Sequence, residues 1–160
     1  MPIPTHLQSF WISFLKSSAC PADANDRFLE SFRIGSSAEE ADHGVKLILS
    51  GKKTATSSLL WEYEQSEKTA PTVGSLSVVE NGNSQPICVV KTTWIEINPI
   101  SNISEDFAYD YGELDGTLTS WHRVFDNYYA QVCAEMGCDF TDNTPLVCER
   151  FKLIYNVAFD

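Results

Sequence analysis

Positive charge is what this sequence lacks most. Its 160 residues hold 11 Lys and Arg against 22 Asp and Glu, a net charge of -11 and a sequence pI near 4.6. Such a surface repels a polyanion and argues against broad, charge-driven wrapping of nucleic acid. A local basic pocket stays open, because Lys46, Lys52, Lys53, Lys91, Arg123, Arg150 and Lys152 all fall in segments expected to be ordered. Also missing are a Cys-x-x-Cys pair, a basic-then-apolar leader, and any run of about 18 apolar residues that would cross a bilayer. The five cysteines (Cys20, Cys88, Cys133, Cys138 and Cys148) are odd in number. The expectation is reduced, mostly buried thiols in a soluble cytoplasmic protein without a membrane partner. There are no repeats, linkers or low-complexity tracts, so the chain reads as one domain over 1–160.

What is present supports a real core. Hydrophobic residues make up 43% of the chain, with 4 Trp, 6 Tyr and 9 Phe, and a chain of this length can bury roughly 70% of its unfolded surface. The stretch Leu49 to Leu60 organises the rest. An apolar helix is expected to close at Gly51, followed within seven residues by Lys52, Lys53, Thr54, Thr56, Ser57 and Ser58. Cationic donors thus sit beside hydroxyl groups where the chain leaves a helix and enters a strand. A solvated helix end leading into an ordinary Thr/Ser strand would look the same.

In chain order, Thr5 and Gln8 fit a capping box that opens an amphipathic helix to about Ser17, its Phe/Trp stripe read as core. A second short helix is expected from Asn25 to Phe32, ending at Gly35. Ser37 and Glu40 open a third, reaching Gly51, on which His43 rides as an exposed residue without a ligand partner. A short helix or turn covers Leu60 to Lys68. Strands follow at Ser75 to Glu80 and Pro86 to Ile97, joined by the hairpin loop at Asn81 to Ser84. Ser104 caps a short helix reaching Tyr111, an acidic loop follows, and a long helix runs from Thr119 to about Met136. The last strand, Leu146 to Val157, places Glu149 on the same face as Val147, Phe151 and Leu153. A carboxylate there is paired or borders a cleft, since an isolated buried charge is very costly.

Several segments together resemble the ASCH domain family, which shares a β-barrel architecture with PUA RNA-binding domains. They are Gly51-Lys52-Lys53-Thr54-Ala55-Thr56-Ser57-Ser58-Leu59, Pro71-Thr72-Val73-Gly74-Ser75, Phe107-Ala108 with Gly112-Glu113-Leu114-Asp115, then Leu118, Trp121 and Val147-Cys148-Glu149-Arg150-Phe151. The match spans about 38–154. It implies an α+β fold, a small PUA-like open β-barrel surrounded by several helices, with the helices of 5–35 packed on it. It also implies RNA or a modified nucleoside as partner, with no DNA expected.

Relatives that hydrolyse acetylated cytidine place their lysine on Lys53 and their threonine on Thr56. Their glutamate falls on Tyr111, with Glu113 and Asp110 near enough to substitute. The resemblance therefore gives Lys53, Thr56 and Glu113 as catalytic residues. Lys52, Thr54, Ser57, Tyr111, Asp115, Trp121, Arg123, Glu149 and Arg150 are expected as substrate contacts. Lys53 would be a base or charge stabiliser, Thr56 a nucleophile or phosphate ligand, and Glu113 or Glu149 the acid. All of this depends on the Lys53 amine facing a concave, locally positive hollow. A non-catalytic RNA or nucleotide-binding module is the alternative. Other relatives are ribonucleases, so the resemblance implies either a ribonuclease-like or an acetylcytidine-hydrolysing enzyme; no cofactor or metal site is expected, with a divalent ion possible only in the ribonuclease case.

Overall fold

The computed structural model describes residues 2–157. Five strands form one sheet in the order β1-β3-β4-β5-β2, with β1 at Phe28–Phe32, β2 at Ala55–Leu59, β3 at Leu76–Glu80, β4 at Pro86–Pro99 and β5 at Pro145–Asn156. Only β1 and β3 run parallel; the other three pairings are antiparallel. The sheet is open, with β1 and β2 as its edges. Among the described residues six α-helices surround it: α1 (Gln8–Leu15), α2 (Ala24–Arg27), α3 (Ala38–Leu49), α4 (Leu60–Glu64), α5 (Glu105–Tyr111) and α6 (Leu118–Met136).

Most helix ends obey local chemistry. The Ser37 hydroxyl accepts from the Glu40 amide, Ser104 from Phe107 and Thr117 from Ser120, each satisfying an amide that a helix start leaves free. Two expectations fail. Thr5 makes no cap; the chain enters α1 through a 3-10 turn at Thr5–Leu7 behind Pro4. Only Ala24–Arg27 of the expected second helix is helical, and Phe28–Phe32 is strand instead. Its partner β3 lies far along the chain, and pairing outweighed local preference.

Leu7 of the 3-10 turn and Phe10, Trp11 and Phe14 of α1 pack on β1, β3 and β4, which makes the N-terminal helix part of the core. Toward the β2 edge, α5 and α6 build an aromatic layer over β2 and β5. Among the described residues no helix is long and apolar enough to cross a membrane.

Candidate functional site

Lys53 is the centre of the arrangement. After α3, Gly51 takes a left-handed φ of 81°, and the chain turns back so that the Lys52 and Lys53 amides both donate to the Leu47 carbonyl at 3.0 Å. The Lys53 side chain is then driven inward until the residue is 1% exposed. Its Nζ donates to the carbonyls of Ala55 (2.6 Å) and Tyr111 (3.1 Å) and pairs with Glu113 Oε2 at 2.6 Å. It also stands 3.8 Å from the centre of the Tyr111 ring. An ammonium has three N–H donors, and all three are engaged.

Glu113 reaches this amine because of Gly112. The glycine ends α5 at φ 73°, and a Cβ there would lie 2.4 Å from the Lys52 carbonyl oxygen. Only glycine allows the two backbones to approach so closely. Burial pulls the Lys53 pKa below the ordinary lysine value, and Glu113, then the more distant Glu149, pull it back up.

A second group of ionisable residues gathers on the adjoining sheet face. Thr56 and Glu149 are direct partners across β2 and β5, so their side chains project together. The Thr92 hydroxyl donates to Glu149 Oε2. Burial raises the Glu149 pKa, the Thr92 bond lowers it, and nearby Glu30 raises it further. Burial likewise raises Glu30. The Tyr63 phenol donates to Ser58 Oγ at 2.8 Å and is pushed up to about 12 by burial, with Glu30 and Glu149 adding to the effect. Three groups from β1, α4 and β5 thus share one environment that favours their neutral forms. Such clusters mark candidate sites.

The residues expected at the site divide clearly. Lys53, Glu113 and Tyr111 are in contact, and the Ser57 hydroxyl bonds the phenols of Tyr111 (3.1 Å) and Tyr129 (2.7 Å). The Tyr111 hydroxyl has its pKa raised by burial and then by Glu113, and held back by its bond to Ser57. No hydrogen bond joins Lys53 to Thr56 among the described residues. Thr54 acts through its backbone, its amide donating to the Asp110 carbonyl and its carbonyl accepting from Phe151.

Lys52, Asp115 and Arg123 are exposed and stand apart from the Lys53 amine. Asp115 accepts from Thr117 and Ser120 at the start of α6, bonds that lower its pKa to about 2. Trp121 is 1% exposed, packs on Tyr111 and Phe125, and offers no free ring face for stacking. Arg150 pairs with Asp110 on the other side of α5.

Glu30, Tyr63, Thr92 and Tyr129 were not expected at the site, and Gly112 was expected only as part of the family motif. A signal existed for Glu30, a carboxylate flanked at two-residue spacing by Phe28 and Phe32, as Glu149 is flanked by Val147 and Phe151. The expected positive field is also corrected. Lys53, the one buried cation among the described residues, is matched by Glu113, while Glu30 and Glu149 add carboxylate nearby. A cavity of about 310 Å³ does border Lys53 and Thr54, walled by Ile48, Phe151 and Leu153. Among the described residues, no three His, Cys, Asp or Glu side chains come together as a metal-binding set.

Residues 30–155 match the ASCH domain. An ASCH domain crystal structure from Lactobacillus crispatus JV V101 superposes with a TM-score of 0.86 at 30% identity, covering 98% of each chain. A protein from Enterococcus faecalis V583 gives 0.81 at 27% identity over 97% of this chain and 96% of its own. No curated protein matches the sequence. The family match over most of the chain, and a solved ASCH domain aligned along nearly all of it, place this protein in the ASCH domain family.

Proposed function

We propose that this chain handles RNA or a modified nucleoside, and that it acts as a hydrolase on an amide-bearing nucleoside such as acetylated cytidine. The observation that carries the reading is the pairing of Thr56 with Glu149, a carboxyl group whose proton affinity burial has raised. In this reading Glu149 takes the Thr56 proton as the hydroxyl oxygen attacks the acetyl carbonyl. It then hands that proton to the departing nitrogen as the C–N bond breaks, leaving an acyl-threonine for water to cleave. Lys53, fixed by Glu113, contributes positive charge toward the developing oxyanion. The carboxylates around the site suit a neutral nucleoside better than a phosphate chain.

Incubation with acetylcytidine tests this. Wild type is expected to release cytidine, and Glu149→Gln or Thr56→Val to lower the rate by about 100-fold or more. Absence of turnover by the wild type, or full activity in Glu149→Gln, sinks the hydrolase. One observation favours a second reading, a binding module without chemistry. Every Lys53 N–H is already engaged by protein oxygen, which suits a fixed charge more than a proton acceptor. Salt-dependent binding of single-stranded RNA without turnover would support it.

A further inference from the structure

A second cavity, of about 350 Å³, opens on the opposite face of the sheet, and neither Lys53 nor Thr56 contributes to it. Trp94 and Glu96 of β4 lie across from Arg150 and Cys148 of β5, so they project away from the side that Glu149 occupies. Asn98 continues that row, while Asn102 and Phe107 close the cavity from the α5 side.

We infer that this cavity binds a nucleobase carrying an exocyclic amine. Its volume falls within the range of small-ligand pockets, which begin at about 300 Å³. The Arg150 guanidinium lies 5.5 Å from the ring centres of both Trp94 and Phe107, and its bond to Asp110 holds it there. A planar cation and a partly buried indole thus form a stacking surface that is already in place. Bases stack on such planes whatever their sequence.

The edge groups select among bases. Glu96 and Asn102 are exposed and have no protein partner among the described residues, and Asn98 stands beside the Cys148 thiol. A carboxylate at the rim accepts from an amino group, as Glu does from the amine of cytosine. Uracil presents two carbonyl oxygens around a single N–H and would set oxygen against oxygen. Because Asp110 neutralises Arg150, Glu96 leaves the cavity with surplus negative charge, which disfavours a phosphate as occupant.

The test uses the isotope-labelled full chain, titrated with cytidine, guanosine, adenosine and uridine and followed by two-dimensional NMR. The three amine-bearing nucleosides should shift the Trp94 indole and Asn98 amide signals saturably, and uridine only weakly. Glu96→Gln should weaken the three by roughly tenfold and leave uridine unchanged. Silence at Trp94 and Asn98 overturns the inference, as does a Glu96→Gln variant that binds all four as the wild type does. Acetylcytidine turnover depends on other residues, so either idea can fail while the other stands.

Discussion

Helix α5 makes two ion pairs with the sheet side of the molecule, and they are built to opposite specifications. Asp110, one residue before its end, meets Arg150 where the side chains keep 35% and 29% of their exposure. Glu113, just past its end, meets Lys53 where they keep 23% and 0%. Water screens the first pair, and pairs of that kind contribute about 0–1 kcal/mol. The second is shut away from water, where each charge depends on its partner to offset several kcal/mol of lost hydration. The outer pair therefore orients a side chain, whereas the inner pair fixes the backbone that carries it. Lys53 ties β2, through Ala55, to the end of α5, through Tyr111.

Removing the inner cation is the strongest way to test that contrast. Lys53→Met strands Glu113 and leaves two buried carbonyls without a donor, so a loss of about 3–5 kcal/mol is expected in urea unfolding. A Lys53→Met, Glu113→Gln double variant should recover part of that loss, since the uncompensated charge is gone. If the single variant unfolds like the wild type, the inner pair is no more structural than the outer one. A smaller effect should come from Gly112→Ala, which meets both a left-handed backbone and the Lys52 carbonyl. It should cost about 2 kcal/mol. Glu113 should then lose its reach, and the Lys53 amine should become open to chemical labelling; a protected amine would contradict the role given to Gly112.

How much of this was readable beforehand follows the reach of each interaction. The stop at Gly51, the caps at Ser37 and Ser104, and the mixed character of β5 around Glu149 are local, and the sequence displays them. Strand β1 is not local, because its reason for being extended is β3. The carboxylate partner of Lys53 was harder still. Counting along the chain puts Tyr111 where relatives carry glutamate, and Tyr111 does reach Lys53, but through its carbonyl and ring face. The reversal at Gly112 then swings Glu113 back to the amine. Spacing cannot reveal that, because a turn decides which side chain arrives.

The smallest expected effect sharpens the contrast from the other side. Asp110→Asn removes the charge opposite Arg150 but keeps a hydrogen-bond acceptor, and the Thr54 amide still has the Asp110 carbonyl to bond. Its stability loss should stay below about 1 kcal/mol and shrink further in salt, as screening predicts for half-exposed groups. Arg150 would still rest against Trp94 and Phe107, so the variant separates the guanidinium's charge partner from its packing. A loss comparable to that of Lys53→Met, insensitive to salt, would mean that the two pairs act as one buried network through α5. Exposure would then be a poor guide to which contact holds the helix in place.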